Sequence, residues 1–397
     1  MTSATTTAVG SSATAAPLDH SAYLARRRFA GLDGVRCLSI VAVVWHHAPH
    51  AASYPIASRG FLGVDLFFVL SGYLIVTLLI RERERTGRIS LRDFWVRRLL
   101  RLAPAYYCML VTATLAYAVL KPGAPETARL MEGLPIYALY LSNWFDPGAQ
   151  NLGLTWSLAT EEQFYLAWPL IEAFFAPAFA AWTWVGAIAV NQLLNFGFLD
   201  GAILDLFGVS PSQHPTILHT TFTPILLGVG LAHLMHRPRT YAALSRFIGL
   251  SFAPILIGIS LLALLCWPND DISGTHRLSI HVASTAFIAS LLLRPGDRVT
   301  RFLELPPLAF IGAISYGIYL YHMFAMHFVR VAAAELGLSQ AMIFPLTLAL
   351  SILIATASYH FLEKRFLRLR SSFRPSRDGA DLIPSRKTAP RATPSAP

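Results

Sequence analysis

Charge is what this sequence has least of. Asp, Glu, Lys and Arg make up 14% of its 397 residues, against about 25% in an ordinary soluble domain. With 54% of the residues hydrophobic, the shortage argues against a soluble globular protein and for a chain embedded in a membrane. Cysteine is almost missing as well. Cys37, Cys108 and Cys266 are spaced like neither a disulfide framework nor a zinc site, so no redox role and no metal are expected. Acidic residues are outnumbered, giving a formal net charge of +10. That excess does not indicate a nucleic-acid partner, because the basic residues flank apolar runs and so read as a signal for membrane orientation.

The start of the chain is rich in Ala, Thr and Ser and lacks the apolar core of a signal peptide. Residues 1–28 are therefore expected to form a disordered arm. Residues 367–397 mix Arg, Pro and Ser without periodicity and are expected to be a disordered basic tail. Between them, residues 29–366 read as one all-α transmembrane domain.

A crossing helix needs about 20 residues at a rise of about 1.5 Å each. Ten segments approach that length, near 34–52, 60–80, 102–120, 154–177, 181–199, 216–235, 248–267, 278–293, 307–328 and 339–361. A shorter apolar piece, Pro135 to Phe145, reads as too brief to cross and as a candidate re-entrant turn. With an even number of crossings, three basic groups fall on one side: Arg26–Arg28, the run from Arg81 to Arg101, and Lys364 to Arg370. The positive-inside rule makes that side, and both termini, cytoplasmic. The expected location is the plasma membrane, crossed many times.

Ionisable residues inside a membrane are functional candidates by default. Arg36 and His47 sit eleven residues apart on the first segment, which returns to within about 20° of one face and about 16 Å along the axis. The pair can link an inner donor to an outer acceptor, or it can be a snorkelling arginine and an interfacial histidine. His46, His47 and His50 lack an adjacent Cys or carboxylate ligand, which argues against a metal site. Asp65 opens the second segment and needs a partner, for which His47 and Arg59 are candidates. Gly72 lies on its face and permits close helix approach.

Ser157, Glu161 and Tyr165 form a polar stripe at four-residue spacing, with Glu162 beside it. One of the two carboxylates can simply be solvated, but two facing apolar sequence suggest that at least one has a role. Ser315, Tyr319 and His322 share a face of the ninth segment, where His322 is either a bonded core residue or a catalytic one. Arg97, Arg98 and Arg101 lead into the third segment and suit lipid contact or phosphate groups.

These residues, in this order, resemble the membrane acyltransferase-3 family over nearly all of 29–366. The features are Arg36-x10-His47, Gly-Val-Asp-Leu-Phe-Phe-Val-Leu-Ser-Gly-Tyr at 63–73, Arg-Arg-x-x-Arg-x-x-Pro-x-Tyr-Tyr at 97–107, Thr155-Trp-Ser-Leu with Glu161, Ser315-Tyr-Gly-Ile-Tyr-Leu-Tyr-His322, and Glu363. The resemblance implies a ten-helix enzyme that takes an acyl group, usually acetyl, from cytoplasmic acyl-CoA and passes it to a hydroxyl at the outer face. It assigns Arg97, Arg98 and Arg101 to the coenzyme A phosphates, Arg36 to the donor entrance and His47 to proton transfer at the acceptor. Glu161 or Asp65 would orient the imidazole, and His322 is a further catalytic candidate.

The expected acceptor is a cell-surface or exported glycan, or alternatively a small glycosylated metabolite such as a macrolide. A transporter would also bury charges, but no internal repeat is evident. Two departures from the family pattern stand out. The stretch His219-Thr-Thr221-Phe-Thr223 carries threonines where many members have a charged pair. The tail is also too short for the SGNH-type hydrolase-like domain that some members carry, so transfer is expected to finish in the membrane domain or on a separate partner.

Overall fold

The computed structural model describes residues 17–49, 51–145, 147–149, 151–207, 222–268, 273–369 and Phe373. Most of the expected tail, together with His50, His219 and Thr221, lies outside them. The described residues are helical, with no strand among them. In chain order the helices are α1 (His20–Ala25), α2 (Leu32–His47), α3 (Pro55–Ser58), α4 (Gly63–Thr86), α5 (Leu91–Leu120), α6 (Pro125–Ala138), α7 (Thr155–Phe174), α8 (Pro177–Asn195) and α9 (Asp200–Phe207). They continue with α10 (Thr223–His236), α11 (Pro238–Ile248), α12 (Ala253–Cys266), α13 (Gly274–Leu293), α14 (Arg298–Leu303), α15 (Pro306–Ala313), α16 (Ser315–Glu335), α17 (Ile343–Ser358) and α18 (Lys364–Leu369).

Each of the ten expected segments coincides with at least part of a helix. Among the described residues, four stretches are long and apolar enough to cross a membrane: Gly60–Thr86, Leu91–Leu120, Gly274–Leu293 and Gln340–Leu369. The number rises to six if two bent pairs each count as one span, α11 with α12 at 74° and α15 with α16 at 75°. The outward surface fits such a setting. Val111, Leu115 and Val119 of α5, and Ile255, Ile259 and Leu262 of α12, are exposed, an apolar covering that suits lipid better than water.

The structure departs from the sequence reading at three places. Residues 17–28 are not a disordered arm: Asp19 caps α1 by accepting from the Ser21 N–H, Leu18 donates its N–H to the Leu293 carbonyl, and Tyr23 is fully buried with its hydroxyl 2.9 Å from that of Tyr73. The expected ninth crossing is not continuous, because α15 packs against the beginning of α2 and the chain bends before α16. The apolar piece after Pro135 completes α6 and then turns sharply at Tyr140, whose φ of 54° makes it the one non-glycine among the described residues in the left-handed region.

Among the described residues, the most extensive helix contact is that of α4 with α10. Here Gly72 meets the Ile225 carbonyl and Gly228 meets the Val69 carbonyl, so that a Cβ at either position would run into the partner's backbone. Small residues let backbones come this close where no hydrophobic effect drives helices together. Gly72→Ala and Gly228→Ala are each expected to destabilise the protein by about 1–3 kcal/mol through overpacking. Thermal unfolding in detergent measures the loss, and wild-type stability in both variants would contradict the packing described.

Candidate active site

Two polar stripes that the sequence places on separate helices meet in the structure. The Ser157 hydroxyl at the start of α7 lies 2.6 Å from the Tyr319 hydroxyl of α16, and Tyr319 also donates to the Leu154 carbonyl at 3.0 Å. This contact carries His322, one helical turn beyond Tyr319, to the C-terminal end of α2. There its ring centroid lies 5.1 Å from that of His47, edge to face. His46 flanks His47 at 5.0 Å. Arg330, two turns further along α16, donates to the His47 carbonyl at 2.9 Å and so caps α2.

Both facing imidazoles are oriented by backbone. Nδ1 of His47 is 2.9 Å from the Val43 carbonyl oxygen, and Nδ1 of His322 is 2.7 Å from that of Tyr319. A carbonyl only accepts, so Nδ1 carries the proton in each neutral ring and Nε2 keeps its lone pair. Nε2 of His322 is buried without a hydrogen-bond partner. Two proton acceptors therefore sit side by side at the meeting of α2, α7 and α16. No group of three or more His, Cys, Asp or Glu able to hold a metal occurs among the described residues.

The carboxylates expected to orient His47 are engaged elsewhere. Asp65 is 1% exposed and pairs with α13, its oxygens 3.0 Å from Arg277 Nη2 and 3.0 Å from His281 Nε2. Arg59 donates instead to the Leu264 and Leu265 carbonyls. The physical reason is burial: a carboxylate with no access to water needs a full counter-charge, and Arg277 supplies one where a neutral imidazole would not. Glu161 accepts from the Ser71 hydroxyl at 2.5 Å, and Tyr165 donates to Ser71 at 3.1 Å. Arg98 and Arg36 lie within electrostatic range of Glu161.

The arginines do not form one clamp. Arg97 pairs with Glu82 at 3.4 Å, while Arg98 lies over the Tyr165 ring at 5.1 Å and the Phe94 ring at 5.9 Å. Arg101 is within range of Glu363. Arg36 pairs with Asp33 at 2.9 Å. At 100° per residue, Arg97 and Arg98 cannot share a direction.

Sequence reasoning missed the Asp65–Arg277–His281 group, although an Arg and a His four apart in an apolar helix is a visible signal. It also missed Glu172, which is fully buried and joins Arg83 of α4 at 3.3 Å to His233 of α10 at 2.8 Å. Thr223, which replaces a charged residue of the family pattern, accepts from Gln192 at 3.0 Å and donates to Asn191 at 3.3 Å.

Comparison with known proteins shows the family. An acyltransferase domain family model, Acyl_transf_3, matches residues 29–360. The chain belongs to this family. It is 32% identical over 355 residues to O-acetyltransferase OatA of Staphylococcus aureus strain NCTC 8325 / PS 47, an alignment that covers 85% of the chain and 57% of OatA. It is 30% identical over 389 residues to Putative O-acetyltransferase SAR0937 of S. aureus strain MRSA252, covering 89% of the chain and 61% of that protein. The chain thus spans about three-fifths of the length of these curated relatives. No solved structure matches it.

Asp65 and Arg277 provide a test of the buried pairing. Removing one partner of a buried ion pair leaves an uncompensated charge and costs about 3–5 kcal/mol. Arg277→Met should show a loss of that size by thermal unfolding in detergent, and the double variant Asp65→Leu with Arg277→Met should recover part of it. A double variant less stable than the single one would argue against the pairing.

Proposed function

We propose that this protein is a membrane O-acyltransferase that moves an acyl group, acetyl by analogy with its relatives' names, from acyl-CoA to a hydroxyl of a cell-surface or exported glycan. The observation that carries the reading is the facing pair His47 and His322, each held by a backbone carbonyl with Nε2 free to accept a proton. Nε2 of His47 takes the proton of the acceptor hydroxyl as its oxygen attacks the thioester carbonyl. The tetrahedral intermediate then expels the coenzyme A thiolate, which is protonated from the imidazolium, and the acyl ester is released. A base placed at the reacting hydroxyl contributes about 10²–10⁴-fold.

The donor's route follows Arg36, Arg97, Arg98 and Arg101. These lie toward the ends of α2 and α5 that we assign to the cytoplasm, within a plasma-membrane protein of ten crossings with both termini inside. The basic run from Arg81 to Arg101 supports that orientation. The polar stripe of α7, from Ser157 to Tyr165, extends about 12 Å along the axis and joins the arginine side to the histidine side.

Two experiments test this reading. In proteoliposomes with labelled acetyl-CoA and a glycan acceptor, His47→Ala should lower transfer at least about 100-fold while eluting as the wild type does on gel filtration. Transfer retained in that variant would overturn the role of His47. For orientation, with Cys37, Cys108 and Cys266 replaced, a cysteine at exposed Lys121 should react with an impermeant maleimide in intact cells, and one at exposed Arg85 only after lysis. The reverse pattern would invert the topology.

A further inference from the structure

Glu162 of α7 and Arg98 of α5 are partly buried charged groups that form no hydrogen bond or ion pair among the described residues. Glu162 keeps some accessible surface, yet Tyr106, Tyr107, Tyr140 and Tyr316 all lie within electrostatic range of its carboxylate. Three of those tyrosines are committed elsewhere. Tyr106 donates to the Tyr137 carbonyl at 2.7 Å, Tyr107 to the Ala138 carbonyl at 2.9 Å and Tyr316 to the Leu102 carbonyl at 2.9 Å. Gln163 is committed too: it donates to the Tyr140 carbonyl at 2.9 Å and to Asn143 at 2.8 Å. Its oxygen takes Asn143 and Trp144. Arg98 forms no ion pair with Glu162, but its guanidinium stacks on Phe94 and on Tyr165, at 5.1 Å from the latter's ring, and Tyr165 lies one helical turn from Glu162 on α7.

A carboxylate that accepts and a guanidinium that donates, close but unpaired, complement a group that donates and accepts at once. A secondary amide is such a group, with its N–H toward Glu162 and its C=O toward Arg98. A phosphate suits this place poorly, because Glu161 and Glu162 both repel it. Tyr106 and Tyr140, stacked with ring centroids at 4.4 Å, form an aromatic wall. The left-handed Tyr140, tied down by Gln163, fixes that wall in place.

We infer that Glu162 and Arg98 bind an amide of the pantetheine arm of the thioester donor and so position the thioester between the arginine side and His47. This rests on the acyltransfer reading above. It assigns Arg98 to the neutral arm of the donor, leaving the anionic end to other arginines. Both residues act on the donor's position, without contact with the reacting carbonyl.

The test compares three acetyl donors: acetyl-CoA, S-acetylpantetheine, which keeps the amides without the nucleotide, and S-acetylmercaptoethanol, which has no amide. Glu162→Ala and Arg98→Gln are each expected to lower kcat/KM about tenfold or more for the two amide-bearing donors, more through KM than kcat, and less than threefold for S-acetylmercaptoethanol. Equal losses on all three donors, or none, would overturn the inference. Should either variant fail to fold, pantetheine added to the wild type decides: it should raise the unfolding temperature, and no shift at saturating concentration counts against the site. A wild type that uses no thioester refutes the acyltransfer reading itself, a result distinct from either outcome for the variants.

Discussion

Inside a bundle surrounded by hydrocarbon, a polar side chain has no water to fall back on. It must find another side chain, a backbone carbonyl or a ligand. The polar contacts among the described residues follow from that demand, and several of them converge on α7. Ser157 meets Tyr319, Glu161 meets Ser71, and Glu172 meets Arg83 and His233. These contacts tie α7 to α16, α4 and α10 at three successive depths. The position of His322 beside His47 is thus a consequence of where α7 holds Tyr319.

The same constraint separates structural charges from those with work left to do. Asp65 is paired with Arg277 and His281, Glu172 with Arg83 and His233, and Glu82 with Arg97. A closed pair of this kind contributes little net stability, since desolvation consumes most of the attraction, but it fixes which helices can be neighbours. Not every group is closed: Nε2 of His322 is buried without a partner, and so are Nη1 of Arg277 and Nδ1 of His281 beside Asp65. On the proposed reading it is His322, with Glu162 and Arg98, whose unmet need serves the donor and acceptor.

Much of this was legible in the sequence, and the failures have physical causes. The apolar segments, the Ser157-Glu161-Tyr165 and Ser315-Tyr319-His322 stripes and the close approach at Gly72 follow from periodicity alone. Periodicity assigns a residue to a face without saying which helix that face meets. Asp65 therefore reads as a partner of His47 or Arg59, its neighbours in sequence, when α13 brings Arg277 and His281 from more than two hundred residues away. The bend between α15 and α16 was hidden for a related reason. Both halves are apolar, with Gly312, Ser315 and Gly317 around the junction but no proline at it, so it is the packing of α15 on α2 that reveals the bend. The docking of Tyr23 depends on Tyr73, which composition cannot report.

On the proposed reading, what orients His47 bears on how transfer proceeds. In a serine-protease triad a buried carboxylate holds the imidazole and stabilises the imidazolium that forms. Here the Val43 carbonyl holds the ring, and the nearby carboxylates Asp65 and Glu161 are committed to Arg277 and Ser71. A carbonyl fixes the tautomer as well as a carboxylate does but supplies no full negative charge to offset the imidazolium. The proton on His47 is then best passed on as soon as a base appears, and the departing thiolate is that base. His322, with Nε2 unpartnered beside it, offers a second acceptor if the thiolate leaves late. This arrangement favours direct attack by the acceptor hydroxyl with prompt proton return. A long-lived charged site would need a counter-ion, and among the described residues no carboxylate pairs with either imidazole.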